Sequence, residues 1–101
     1  MDAITITTRG GGEAGEYQAH VAGQAAVGRL TWVAGVGAGG AALRVADHTL
    51  VPAEIGGRGV AARLVAALVA DARAQGFRIV PACSYVAAAF ERHPEWADLL
   101  A

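Results

Sequence analysis

Short stretches in the first half of the chain alternate apolar with polar residues, the pattern of a half-buried β-strand. Residues 4–7 alternate isoleucine with threonine, which predicts a short strand. Two further strands are predicted over residues 17–22 and 25–35, joined by a glycine-containing hairpin turn at 23–24. A third strand of this series is predicted over residues 42–51, ended by a proline. We expect the last three strands to form an antiparallel meander.

Glycine-rich stretches separate several of these strands. Residues 9–15 are polar and rich in glycine, so we expect a mobile loop there. Residues 35–40 read GVGAGG and offer almost no side chains for packing. Both stretches are therefore interpreted as connections rather than as regular secondary structure.

The second half of the chain changes to a helical period. A helix is predicted over residues 57–75, with Gly76 as the residue that ends it. Its apolar face consists of Val60, Ala61, Leu64, Val65, Leu68, Val69 and Ala72. A short strand follows over residues 78–82, interrupted by Pro81. Because a strand–helix–strand connection is almost always right-handed, this strand is expected to lie parallel to the one over 42–51.

The C-terminal part of the chain predicts a further helix and one last turn. Ser84 is a candidate N-cap for a helix over residues 84–92, and residues 95–100 are expected to add a final turn. The order of elements predicts one α+β domain over residues 1–101. The stretch 1–16 is a candidate flexible segment of that domain.

Composition limits the classes of function. The chain has 101 residues, of which 54% are apolar, enough for one compact domain. Its net charge of -1 and its lack of a basic cluster argue against nucleic-acid binding. The longest apolar run is broken by Arg63 and Asp71, so no membrane span is expected, and no signal-peptide pattern is visible. Cys83 is the single cysteine, which excludes an internal disulfide and suits a reducing, cytoplasmic setting.

The stretch EIGGRGVAARLVAALV, residues 54–69, places three glycines and an arginine directly before the long helix. A helix start carries unpartnered N–H groups and partial positive charge, and glycines let a phosphate approach those donors. The stretch has neither the lysine of a nucleotide-binding P-loop nor the glycine spacing of a dinucleotide fingerprint. A tight turn without a ligand explains the local pattern equally well.

The context of this stretch resembles the acetyl-coenzyme A site of GNAT acetyltransferases, whose phosphate loop has the form Gln/Arg-x-x-Gly-x-Gly/Ala. Gly59 and Ala61 occupy the last two defined positions, whereas Gly56 stands where the family has Gln or Arg. The resemblance implies that Leu50 and Val51 offer main-chain groups to the pantetheine arm. It also implies that the pyrophosphate is held by Gly56, Gly57, Arg58, Gly59, Val60 and Ala61.

Two outer motifs resemble the small stand-alone GNAT-like family of about this length. They are DHTLVP over residues 47–52 and VPACSYVAAAFERHPEWADLL over residues 80–100. The resemblance implies a truncated GNAT fold: an antiparallel meander, the cofactor helix, a short parallel strand and a C-terminal helix. It also implies binding of coenzyme A or acetyl-coenzyme A, while the acceptors of this family are generally unknown.

Three residues are candidates for catalysis. Cys83 precedes a helix start, which lowers a thiol pKa; it is a nucleophile, a bystander beside the thioester, or an inert buried thiol. His48 resembles the family's active-site histidine and is either a general base, for the thiol or for an acceptor amine, or a histidine of the core. Tyr85 lies where GNAT enzymes often have the tyrosine that protonates the departing thiolate, with helix packing as the alternative.

These features predict acyl transfer from acetyl-coenzyme A to an unidentified acceptor, a small-molecule or protein amine. The alternative is a coenzyme A-binding or interaction module with little or no catalysis. No His, Cys, Asp and Glu cluster has the spacing of a metal site.

Overall fold

Residues 3–101 are described by a computed structural model and form a five-stranded sheet with two α-helices. The strands are β1 (Ile4–Gly11), β2 (Ala14–Val21), β3 (Val27–Val36), β4 (Ala42–Leu50) and β5 (Arg78–Pro81). They lie in the sheet in chain order; β1 to β4 are antiparallel, and β5 is parallel to β4. This confirms the predicted meander and parallel last strand, and it adds β1 to the meander. Met1 and Asp2, the first residues of the predicted domain and of its candidate flexible segment, lie outside the described residues.

The glycine-rich stretch over residues 9–15 forms a β-hairpin, so its prediction as a loop is wrong. β1 continues to Gly11, which pairs with Ala14 and leaves a two-residue turn of Gly12 and Glu13. Gly12 has a φ of 65°, in the left-handed region that glycine adopts without a steric penalty. The glycines therefore make a tight turn between paired strands rather than a structureless connection.

Two other connections differ in detail from the prediction. β2 and β3 are joined by residues 22–26, which is longer than the two-residue turn expected at 23–24. The connection expected over residues 35–40 is shortened, because β3 continues to Val36 and a 3₁₀ helix follows at Ala38–Gly40.

The crossover from β4 to β5 is made by α1 (Val60–Gln75). Gly76 ends α1 as predicted: its φ is 81° and its N–H donates to the carbonyl of Ala72. β5 then pairs with β4 from Leu43–Arg78 to Ala46–Pro81.

Within residues 3–101, no helix has the length and hydrophobicity needed to span a bilayer.

The C-terminal segment consists of α2 (Ser84–Arg92) and a 3₁₀ helix (Pro94–Leu99). Cys83 is the N-cap of α2, so the prediction of Ser84 as the cap is wrong by one residue. The His93 ring stacks on Trp96 at 4.0 Å between ring centroids. The last residue, Ala101, donates its N–H to the carbonyl of Ile79 and so fastens the chain end to the outer edge of β5.

Both α-helices described within residues 3–101 pack on one face of the sheet. α1 lies against β1, β2 and β3, and α2 lies against β4 and β5. Leu30 and Trp32 of β3 are buried under the helices. Side chains alternate along a strand, so Arg29, Thr31 and Val33 point to the opposite, open face. Val33 is 41% exposed there. This alternation decides on which face each candidate residue lies.

Arg44 fastens α1 to the sheet. Its guanidinium lies between the rings of Trp32 and Phe77, 3.9 and 4.1 Å from their centroids, and donates to the Tyr17 hydroxyl at 2.8 Å. The Tyr17 hydroxyl in turn donates to Asp71 of α1 at 2.8 Å. Burial, with this carboxylate as a second cause, raises the pKa of Tyr17 well above its usual range, so the hydroxyl remains a donor. The helix is thereby held in one position on the sheet.

Candidate functional site

The turn before α1 consists of glycines in the left-handed region. Gly57 has a φ of 71° and Gly59 a φ of 76°. These angles are not helical, so α1 begins at Val60 rather than at the predicted residue 57. A Cβ at either glycine would meet no other atom within 4 Å. The glycines therefore serve the backbone conformation, and the main chain is open on this side.

Several main-chain N–H groups at the start of α1 have no acceptor within the helix. The first helical bond runs from the Arg63 N–H to the Gly59 carbonyl at 3.1 Å. The N–H groups of Val60, Ala61 and Ala62 precede this bond and so have no acceptor within the helix. Together with the helix dipole, such groups favour an anionic ligand. Arg58 lies exposed between the two glycines and adds a positive charge at the same turn.

A groove of about 320 Å³ lies at this helix start. It is lined by Val51, Gly56, Gly57, Gly59, Val60, Ala61, Ala62 and Tyr85. The fold thus brings the turn before α1, the end of β4 and the start of α2 to one place. Leu50 was also expected to bind the cofactor, but it is not among the residues that line the groove. It is 62% exposed and pairs with Arg29, so its side chain lies on the open face.

Cavity size alone does not mark this groove as the candidate site. A cavity of about 540 Å³ lies beside β5 and includes Leu43, Arg78 and Val80. Another of about 360 Å³ includes Glu16 and Asp47. The groove at α1 differs from them because its walls combine the start of a long helix with Tyr85. In residues 3–101, no group of three or more His, Cys, Asp and Glu side chains could hold a metal ion.

Gly28 of β3 lets the start of α1 approach the sheet. A Cβ at this position would lie 2.7 Å from Cγ1 of Val60 and 3.5 Å from Cδ1 of Leu64. Real Cβ atoms do not approach another carbon so closely, and the β-branched Val60 side chain has few alternative rotamers. Gly28 therefore helps to position the first turn of α1, which lines the groove.

We expect Gly28→Ala to weaken binding at the groove because α1 must shift away from the added methyl group. The protein should lose about 1–3 kcal/mol of stability, as overpacked cores do. Its affinity for coenzyme A, the ligand that the sequence resemblance implies, should fall several-fold. Thermal unfolding and calorimetric titration measure the two effects. Gly35→Ala in the same strand is a matched control, since its Cβ would lie 3.7 Å from Leu43. An unchanged affinity in Gly28→Ala would show that this contact does not position the groove.

β4 and β5 separate next to the groove. Their pairing ends at Ala46 and Pro81, while β4 continues to Leu50. After β5 the Ala82 N–H donates to the Val80 carbonyl at 3.0 Å in a tight turn, and the Cys83 N–H donates to the Ala46 carbonyl at 2.9 Å. This bond places Cys83 beside the separating strands, at the start of α2.

The thiol of Cys83 lies against Thr49. Its Sγ is 3.5 Å from Oγ1 of Thr49, within hydrogen-bond distance for sulfur. Partial burial raises the pKa of Cys83, but hydrogen bonds outweigh this effect. They come from the Thr49 hydroxyl and from the main-chain N–H groups of Val86, Tyr85 and Thr49, so the pKa lies below its ordinary value. The thiol is thus half-buried, and these hydrogen bonds stabilise its thiolate form relative to an ordinary thiol.

His48 points to the other face of the sheet. Leu30 pairs with Thr49 and Thr31 pairs with His48, so Thr49 faces the helices and His48 faces the open side. A bulge precedes this pair, where Asp47 is the extra residue and accepts a hydrogen bond from the Thr31 hydroxyl at 2.6 Å. The His48 side chain is exposed. The structure therefore brings Cys83 to Thr49 on one face and leaves His48 accessible from the other.

Comparison with known protein families found a match over most of the chain. The sequence model of the GCN5-related N-acetyl-transferase family matches residues 16–99. The chain belongs to this family. The match to the N-acetyltransferase family runs from β2 to the C-terminal 3₁₀ helix and so includes the groove, β4 and α2. Among curated proteins, no match was found. The resemblance to GNAT acetyltransferases is confirmed at the level of the family and of the α+β fold.

The sequence pattern did not single out two residues that lie at the candidate site of this N-acetyltransferase family member. Ala62 lines the groove, and Thr49 contacts the thiol. Ala62 could have been found from the helix pattern, because it is the third residue of the first turn. That the Thr49 side chain faces the helices could be deduced from the alternation along β4, but only if Ala46 is known to be buried and Asp47 is known to be the extra residue of a bulge. Only the pairing with β3 reveals that bulge.

Proposed function

We propose that this protein transfers an acyl group from acetyl-coenzyme A to an amine acceptor. The observation that carries the proposal is the groove at α1. There, N–H groups with no acceptor within the helix, Tyr85 and the neighbouring separation of β4 and β5 occur together. Membership of the N-acetyltransferase family supports the class of reaction. We further propose that residues 1–101 act as a single domain, in a cytoplasmic setting that keeps the lone thiol reduced.

The residues at the groove fit the pyrophosphate of coenzyme A. The N–H groups at the start of α1 would donate to phosphate oxygens, and the bare main chain at Gly57 and Gly59 permits close contact. Arg58 would add a charge-assisted contact. Gly56 stands where the family pattern has Gln or Arg. It has no side chain, so a main-chain group would take the place of one side-chain contact to the phosphates.

The pantetheine arm would follow the end of β4. Beyond Ala46, β4 continues after its pairing with β5 has ended, and Val51 lines the groove. Main-chain groups of Leu50 and Val51 would hydrogen-bond the amides of the arm. This path leads from the start of α1 towards Cys83, where the two strands separate.

Bound acetyl-coenzyme A would supply an acyl group activated as a thioester. The Cys83 thiolate would attack the acyl carbonyl carbon, forming an acetyl-Cys83 thioester as the bond to the coenzyme sulfur breaks. The Tyr85 hydroxyl would donate a proton to the departing sulfur. The acceptor amine would then attack acetyl-Cys83, releasing the Cys83 thiolate. His48, exposed on the open face, would take the proton from that amine, and solvent would return this proton to the Tyr85 phenolate.

Coenzyme A should raise the melting temperature, because a ligand of the native state stabilises it by mass action. At a concentration of 100 times its dissociation constant the stabilisation is about 2.7 kcal/mol. For a chain of this size that corresponds to an increase of roughly 10–20 °C. No increase at millimolar coenzyme A would contradict the assignment of the groove.

Catalysis is tested by incubating the protein with acetyl-coenzyme A and primary amines, such as a polyamine and a lysine-containing peptide. We expect release of free coenzyme A that depends on the amine, with acetylated amine found by mass spectrometry. Binding of coenzyme A without transfer to any amine would identify the protein as a coenzyme A-binding module instead.

A further inference from the structure

Thr49 and Cys83 meet where β4 and β5 separate, and each is held there by main-chain contacts. Thr49 pairs with Leu30 in β3, and the N–H of Cys83 is bonded to the Ala46 carbonyl. Their side chains approach to 3.5 Å between Sγ and Oγ1. Both side chains are half-buried, so bulk water is partly excluded from the contact.

We propose that Thr49 is a positioning residue for Cys83: its hydroxyl holds Sγ beside the start of α2 and donates a hydrogen bond to the thiolate. This inference builds on the proposed acyl-transfer reaction and adds to it the residue that activates the nucleophile. The hydroxyl can rotate, so it accepts from the thiol and donates to the thiolate without moving the strand.

The alternation along β4 assigns this role to Thr49 rather than to His48. The two residues are neighbours in the chain, but their side chains leave the strand on opposite faces. Thr49 shares the helix face with the Cys83 thiol, whereas His48 is exposed on the open face. In this arrangement the imidazole serves the acceptor amine and the hydroxyl serves the thiol.

The surroundings of the thiol support activation by hydrogen bonds. Besides Thr49 on β4, the Cys83 thiol receives main-chain N–H donors from Tyr85 and Val86 in the first turn of α2. His48, next to Thr49 on β4, and Tyr85, two residues after Cys83 on α2, have titratable side chains. The causes that act on the pKa of Cys83 are burial and these donors. A change of the Thr49 hydroxyl should therefore alter thiol reactivity more than removal of the His48 imidazole.

The test is the pH profile of alkylation of the purified protein by iodoacetamide, without coenzyme A. The chain has one cysteine, so the rate reports on Cys83 alone. Thr49→Val keeps the shape and the main-chain N–H but removes the hydroxyl. We expect its rate at pH 7 to fall roughly three- to tenfold, the effect of one lost hydrogen bond, with rates converging at high pH. The profile should shift towards higher pH.

Two further variants separate activation from a structural effect. Thr49→Ser keeps the hydroxyl and should retain the wild-type profile, and His48→Ala should also retain it. The inference is overturned if Thr49→Val matches the wild type, if Thr49→Ser loses reactivity to the same extent, or if His48→Ala shifts the profile as much as Thr49→Val. Because coenzyme A is absent, these outcomes are independent of whether the groove binds it.

Discussion

Gly59→Glu is expected to abolish the rise in melting temperature proposed for coenzyme A, while the protein remains folded. Gly59 is the N-cap of α1 and lines the groove. A glutamate there places a carboxylate beside the N–H groups that would receive the pyrophosphate. It satisfies those donors itself, since acids are favoured at a helix start, and it repels the phosphates. The loss should reach the full stabilisation of about 2.7 kcal/mol at 100 times the wild-type dissociation constant.

The backbone at Gly59 requires matched controls, because any side chain at a φ of 76° is strained. Gly39 has a φ of 70°, lies in the 3₁₀ helix between β3 and β4, and is also free of close contacts. Gly39→Glu therefore adds a similar strain and the same charge away from the groove, and it should bind coenzyme A normally. Gly59→Asn, whose side chain tolerates this conformation, should bind more tightly than Gly59→Glu. Normal binding by Gly59→Glu would place the phosphate site elsewhere.

The helical period of α1 could be read from the sequence because a single physical requirement dictates it. The positions of its apolar face had to be buried against the sheet, and Leu64, Val65 and Leu68 are among the least exposed residues. The start of the helix was less predictable. It depends on the positive φ angles of Gly57 and Gly59, which belong to the path of the chain from β4 and not to the apolar pattern.

The hairpin of β1 and β2 shows what a local pattern cannot reveal. Glycine and polar residues around Gly12 are typical of a loop, but main-chain pairing with a neighbouring strand is independent of side-chain alternation. The pairs from Arg9–Glu16 to Gly11–Ala14 extend the sheet beyond the apolar part of β1. A strand whose side chains are mostly exposed leaves little trace in the sequence.

The candidate site was predictable in its parts but not in the arrangement of those parts. Glycines before a helix and a cysteine before another helix are local features, but only the resemblance to GNAT acetyltransferases made the turn at Gly59 a candidate phosphate loop. The positions of His48 and Thr49 relative to Cys83 depend on the strand register and on the bulge at Asp47. A shift of one residue exchanges the two faces, so the motif alone could not decide which neighbour contacts the thiol.

Cys83→Ala is expected to abolish acetyl transfer while leaving coenzyme A binding intact. Wild-type protein exposed to acetyl-coenzyme A without an amine should gain one acetyl group at Cys83, removed by hydroxylamine as a thioester is. The alanine variant should gain none, and its rate of transfer to amines should fall at least about 100-fold, as expected for loss of a nucleophile. Binding should persist because the groove at α1 is lined by other residues. Intact-protein mass spectrometry and the melting temperature measure the two properties on the same sample.

Cys83→Ser and His48→Ala divide the reaction into its two halves. The serine variant keeps the shape of the site, but its hydroxyl is far less acidic than a thiol, so acetylation should be lost as well. His48→Ala should acquire the acetyl group at nearly the wild-type rate and pass it to the amine more slowly, because the imidazole lies exposed on the open face, from which we propose that the acceptor approaches. Equal transfer rates in Cys83→Ala and wild type would exclude the covalent route. The acceptor amine would then attack the bound thioester directly, with His48 as its base and Cys83 as part of the wall beside β4.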